Sequence, residues 1–267
     1  MNLINRNLNI IIDFSFHRKM KILSYIFTII LLVSCNSENA GDCFQTAGAI
    51  VQQEISVSNF DKILVNRDIE LIIKEGSEQK VIIETGKNLI NDVEAIVLDG
   101  KLILTDNNSC NYVRDYGITK IYVTSPNITE IRSSTQYEVR SDGILTYPSL
   151  TVLAEDYNAP DTFTNGNFRL QIDNSAFNLV FNNLSNCYIS GKTENLNVTL
   201  ASGTSRFEGE NLIAQNVAFW NRSSNDIIVN PQQSLSGQIT GTGNVIAVTH
   251  PPSVDVQQLY KGRLIFN

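Results

Sequence analysis

The sequence predicts an all-β protein: a parallel β-solenoid with coils of about twenty residues and a β-hairpin in its N-terminal part. Two features predict it. From Ile131 an apolar anchor recurs at Val152, Ile172, Ile189, Phe207 and Ile227, at spacings of 21, 20, 17, 18 and 20. A second row keeps the rhythm through Tyr137, Tyr157, Phe177, Val198, Val217 and Ile239. Between anchors lie turn formers: Asp142-Gly143, Asn165-Gly166-Asn167, Asn182-Asn183 and Ser202-Gly203. Short β-type runs at a period near twenty mark a stacked array, in which each coil buries its neighbour.

Composition sets the outer limits. Of 267 residues 42% are hydrophobic and only 18% charged, which fits a folded body rather than a disordered chain. The net charge of −7, without a basic patch, excludes nucleic acid as a partner, since phosphate affinity rests on clustered Lys and Arg. The only histidines are His17 and His250, so catalysis would have to rest on His250 or on carboxylates.

The N-terminus reads as an export address. Arg18, Lys19 and Lys21 precede an apolar run from Ile22 to Val33, too short to span a membrane comfortably and suited to a signal-peptide core. The run ends in Leu32-Val33-Ser34-Cys35, which looks like a bacterial lipobox, with Cys35 as the acylated residue. Met20 stands where such signals begin, so residues 1–19 are either an upstream extension or a mis-assigned start. The expected division is a signal over 1–34, a polar tether over 35–48 and a β-domain over 49–267. Acyl chains on Cys35 would make the membrane a partner without spanning it.

Alternation marks the next section as strand. Ile63, Val65, Ile69, Leu71 and Ile73 form one period-two face; Glu75-Gly76-Ser77-Glu78 is a turn, and Val81–Ile83 the next strand. Asp99-Gly100 between Ile96–Leu98 and Leu102–Leu104 is the strongest hairpin signal. Asn88-Leu89-Ile90 suggests a helical turn. Cys43 and Cys110 bracket the section, and in an oxidising compartment a bridge between them would stabilise by about 3–4 kcal/mol. Two free thiols, or a pairing that includes Cys187, remain alternatives. Cys187 reads as a small buried hydrophobe. No CxxC spacing occurs and His250 has no second histidine nearby, so neither a metal nor any other cofactor is expected.

Within the array, Asn158 and Asn178 each follow an aromatic anchor, and either stack as an amide ladder or serve turns. His250-Pro251-Pro252 breaks the pattern, and residues 253–267 read as a last strand or cap.

Several of these stretches resemble a known family. Ser236-Gly237-Gln238-Ile239-Thr240-Gly241-Thr242-Gly243-Asn244-Val245, Phe60-Asp61-Lys62-Ile63 and Asp99-Gly100-Lys101-Leu102 are similar to the auto-transporter adhesin head domain found in Bacteroidetes lipoproteins. The resemblance covers roughly residues 50 to 250. It implies a single-stranded, right-handed parallel β-helix, an adhesin-like role at the outer membrane and no catalytic residues. Positions that are Gly-rich in the family are Asn- or Ser-rich here, except Gly241 to Val245.

Candidate chemistry is sparse. Glu155-Asp156, Asp161, Glu208 and Glu210 could do acid–base work on a glycan. Adjacent residues on a strand face opposite sides, however, and solvated surface or turn is the expected role. Trp220 could stack on a sugar, with Tyr157 the second candidate contact and Tyr112 and Tyr116 as extensions; core or incidental surface is the competing reading. Gly241-Thr242-Gly243 opens no helix and is a turn rather than a phosphate loop. The expected function is non-enzymatic binding of glycan or protein, against a glycan-active enzyme or an assembly module.

Overall fold

In the computed structural model the described residues are 20–26, 41–108, 110–157 and 160–267. Cys35 with its lipobox, Arg18 and Lys19, the tether up to residue 40, and Asn158 lie outside them. Residues 20–26 are helical, and no described helix is long and apolar enough to cross a membrane.

The fold is all-β. β1 (Ile50–Ile55), β2 (Lys62–Val65), β3 (Ile69–Glu75), β4 (Lys80–Gly86), β5 (Val93–Leu98), β6 (Lys101–Asp106) and β7 (Thr119–Ser125) come first. β8 (Glu130–Ser133), β9 (Val139–Leu145) and β10 (Ser149–Ala154) lead into four long strands, β11 (Asn167–Asn183), β12 (Asn186–Gly203), β13 (Arg206–Asn221) and β14 (Ile227–Ile239). β15 (Val245–Ala247), β16 (Ser253–Gln258) and β17 (Leu264–Phe266) complete the order. The continuous alternating face expected from Ile63 to Ile73 is two strands, because Asp68 turns the chain at φ 68°. The helical turn predicted near Asn88 forms slightly later, as a 3-10 turn over Ile90–Asp92.

The strands form one continuous sheet built from two ladders. The first runs β1–β4–β7–β3–β9, then through the leading halves of β11 to β14, to β15 and β17. The second runs β5–β6–β2–β8–β10, then through the trailing halves of β11 to β14, to β16. Among the described residues only β1–β4, β4–β7 and β5–β6 are antiparallel. β5 and β6 are the hairpin at Asp99-Gly100, where both residues take positive φ (51° and 73°), as a tight two-residue turn requires.

The core sits between the ladders. One inward column is Phe168, Cys187, Phe207, Ile227, Val245 and Leu264, at spacings of 19, 20, 20, 18 and 19. Another is Phe177, Leu196, Val217 and Leu235, at 19, 21 and 18, while Val254, next in register, is exposed. Phe168 and Phe181 stack across the interior at 5.2 Å. The period is the predicted one; the register is not. Val152 pairs with Leu179 rather than Ile172, and Cys187, not Ile189, lies opposite Phe207. Ile131 and Val152 belong to the second ladder and Ile172 to Phe207 to the first, so the anchor row joined two faces. Tyr157 is exposed and anchors nothing.

The corners between ladders are polar, and some are closely paired while others are not: among the described residues the side chains of Asn174, Ser185 and Ser205 have buried polar atoms without a hydrogen-bond partner. Asn221, fully buried, donates from Nδ2 to the carbonyls of Asn225, Gly243 and Asn244, while its Oδ1 accepts from Ser223 N–H. At the opposite corner Gly191 takes φ 110°, and a Cβ there would run into the carbonyl oxygen of Ile172 on the neighbouring strand β11. Asn178 does form a ladder, but with Asn197, whose Nδ2 donates to its Oδ1 at 2.8 Å. A parallel row joins Asn195, Asn216 and Ser234. Amides one register step apart meet because the strands are parallel, which repeats the same face strand after strand.

Candidate functional site

The carboxylates proposed for acid–base work are engaged structurally. Glu155 is 1% exposed rather than solvated, and its Oε1 lies 2.7 Å from Arg132 Nη2. Asp156 accepts from Asn182 Nδ2 at 2.6 Å and from Asn183 Nδ2 at 3.2 Å. Asp161 sits in a turn at φ 73°. Glu208 is ion-paired with Arg206, which also reaches Asp226 at 3.5 Å. His250 stacks on Phe266 at 4.3 Å.

Trp220 and Tyr157 do not form one site. Trp220, on β13, is partly exposed and donates from Nε1 to Thr240 Oγ1 at 3.0 Å, while its neighbour Phe219 faces the core. Tyr157 follows β10, with β11 and β12 between them. Cys187 is buried, and burial pushes its thiol up.

A groove that sequence reasoning missed lies on the outer face of the first ladder, across β11, β12 and β13. Its volume is about 430 Å³, and Arg169, Gln171, Tyr188, Glu208, Glu210 and Asn211 line it. The Arg169 guanidinium lies 4.9 Å from the Tyr188 ring centroid, and its Nε donates to Glu138 Oε1 at 3.1 Å. Register makes the row, since Arg169 pairs with Tyr188 and Tyr188 with Glu208. Offsets of 19 and 20 were the signal that could have found it. Chemically the groove offers a donor, an aromatic ring and acceptors at strand spacing, about 4.8 Å apart.

The N-terminal end holds the second constellation. Cys43 and Cys110 are joined as a disulfide with Cα atoms 4.4 Å apart. Around it, Tyr112 N–H donates to Cys43 O, Arg114 Nη1 to Gln45 O, and Asn88 Nδ2 to Thr46 O. Phe44 and Tyr112 pack at 5.7 Å. A recess of about 200 Å³ beside the bridge is lined by Asp68, Asp106, Asn108, Asn111 and Tyr116 among others. Burial raises the Asp106 carboxyl above its ordinary range, against hydrogen bonds from Thr119 Oγ1 (2.7 Å) and from the Asn108 N–H (2.9 Å) and Nδ2 (2.7 Å). The fold therefore holds this proton to higher pH than the unfolded chain does. Stability falls as pH rises from the unfolded value through the folded one. Asp106→Asn keeps an acceptor toward Asn108 and carries no charge. It is expected to exceed the parent in stability at about pH 7 and to lose that advantage near pH 3, as read by urea denaturation at both.

The family model described as "Putative auto-transporter adhesin, head GIN domain" matches residues 59–251. No curated protein matches the chain. A "putative adhesin" from Bacteroides fragilis NCTC 9343 is similar with a TM-score of 0.73 and 18% identity, over 83% of this chain and 99% of that one. Another from Parabacteroides merdae ATCC 43184 gives 0.62 and 15%, over 82% and 97%. A "putative lipid binding protein" from Parabacteroides distasonis ATCC 8503 gives 0.57 and 14%, over the same shares. At such identities the structures speak for the fold alone, whereas the family model spans most of the β-rich chain. The chain belongs to the auto-transporter adhesin head GIN domain family.

Proposed function

We propose that the protein is exported, acylated at Cys35 and held at the outer membrane, where it binds a glycan without turning it over. Its coils on this reading form a right-handed parallel solenoid, which the offsets of 17 to 21 residues between inward partners support. The family's adhesin description supports a role at the cell envelope. The observation that carries the binding site is the Arg169–Tyr188–Glu208 row in its groove.

A groove of this size falls in the range of small-ligand sites, which combine an apolar surface with a few placed polar groups. Tyr188 supplies the ring; Arg169, Glu210 and Asn211 supply polar partners for hydroxyls. The row crosses the strands, so an extended saccharide lying along the coil axis meets one group per coil. Glu208 is committed to Arg206, which leaves the groove without a free acid–base pair built on that residue.

The test is a glycan-array screen of the full chain, with turnover assayed on every hit. Tyr188→Ala is expected to weaken binding by at least about tenfold, in line with loss of a central aromatic contact, and Trp220→Ala to leave it nearly unchanged. Product release would replace this reading with a glycan-active enzyme. A loss confined to Trp220→Ala would move the site from the groove to the second ladder, around Trp220 in the trailing half of β13. Silence across the array would leave a protein ligand as the better account.

A further inference from the structure

We infer that the loop bridged by Cys43–Cys110 is a bilayer-contacting foot, which stands the coils away from the membrane; this rests on acylation of Cys35. Phe44, Tyr112, Val113 and Tyr116 are 57%, 74%, 52% and 75% exposed, in one turn-rich loop and the segment bridged to it. Four large exposed side chains so close together exceed the scattered apolar surface usual for a soluble protein. Three are aromatic. Tyrosine combines an apolar ring with a polar tip, which suits the headgroup boundary of a bilayer.

The loop presents these rings by design of its backbone. Asn111 Oδ1 accepts from Val113 N–H (3.2 Å) and Arg114 N–H (2.9 Å), and its Nδ2 donates to Arg114 O at 2.7 Å. Tyr116 Oη donates to Asn111 O at 3.1 Å. The side chain of Asn111 thus closes the turn, and the disulfide fixes it to the segment that carries Phe44.

Tether length supplies the occupant. Only residues 36–40 separate Cys35 from Gly41, so even a fully extended chain lets Gly41 stray no more than about 22 Å from the acylated residue. Phe44 follows three residues later. An acylated Cys35 thereby confines this end of the protein to the membrane surface, where the exposed rings find the headgroup region within reach. Trp220 lies far off, six register steps from β6 through β2, β8, β10, β11 and β12, or about 29 Å at 4.8 Å per step. The groove on β11 to β13 begins three register steps from β7, about 14 Å at the same spacing, and runs away from the foot.

The single tryptophan makes this testable. The mature acylated protein is reconstituted into phosphatidylcholine vesicles with and without brominated acyl chains, and indole emission is compared. In the Trp220→Phe/Tyr116→Trp variant bromine is expected to remove at least about half of the emission, because the introduced indole sits at the acyl boundary. Emission of the parent, from Trp220, should not change. Tyr112→Trp in the same background gives a second probe of the same loop. Unquenched emission from both probes overturns the foot, and would point to a protein partner for these rings. Quenching of the parent overturns it in another way, by showing the coils lying flat on the bilayer. Acylation is read separately, from the mass of the peptide bearing Cys35 and from release of Cys35→Ala into the soluble fraction. An unmodified Cys35 removes the anchor and the foot together, whereas a lipidated Cys35 with unquenched probes removes the foot alone.

Discussion

Arg132→Ala is expected to destabilise the fold by about 3–5 kcal/mol, the range for breaking a buried ion pair from one side. The Arg132 and Glu155 side chains are only 13% and 2% exposed, with Nη2 and Oε1 2.7 Å apart, and Arg132 Nη1 also donates to the Glu155 carbonyl at 3.2 Å. Arg132 lies on β8 and Glu155 just past β10, its parallel neighbour. Truncation removes the guanidinium and leaves the carboxylate where water barely reaches it. Arg132→Met/Glu155→Leu takes both charges away and should cost far less, because the desolvation of the two ions disappears with them. Urea denaturation of the two variants separates the cases. A loss below about 1 kcal/mol for Arg132→Ala would show that other groups satisfy Glu155, and would sink the argument.

That pair also shows where sequence reading stops. Glu155-Asp156 looked like solvated surface, and nothing local contradicts it. The partner of Glu155 is 23 residues away, and only the pairing of β8 with β10 brings them together. Local signals fared better. Asp99-Gly100 specified its hairpin because the turn needs two positive φ values, a purely local demand. The period near twenty was legible because each successive parallel strand must bury an apolar face. Register was not, because strands alternate apolar residues at every second position: Cys187 and Ile189 point the same way, and either could be set opposite Phe207. A shift of two keeps the pattern intact, so the sequence alone does not choose between them. The groove depends on that choice. Arg169, Tyr188 and Glu208 form a row only once the offsets of 19 and 20 are known.

Replacing both Cys43 and Cys110 with Ala is expected to lower stability by about 4 kcal/mol, from chain entropy over the 67-residue separation that the bridge closes. The interval contains β1 to β6, and so the antiparallel pairs β1–β4 and β5–β6 whole and one strand of the third, β4–β7. In the unfolded chain the bridge would hold that whole section in a loop, so its effect reaches well beyond the tether. The local contacts act in the folded state instead: Tyr112 to Cys43, Arg114 to Gln45 and Asn88 to Thr46 keep the segment in place whether or not the sulfurs are joined. The variant should therefore fold to the same structure with a lower denaturation midpoint. Parent protein in reductant should match it, while Cys187, buried in the Phe168–Phe207 column, stays out of exchange. If removing the bridge lowers the unfolding free energy by less than about 1 kcal/mol, the entropy account fails, and the disulfide serves to hold the foot rather than the fold.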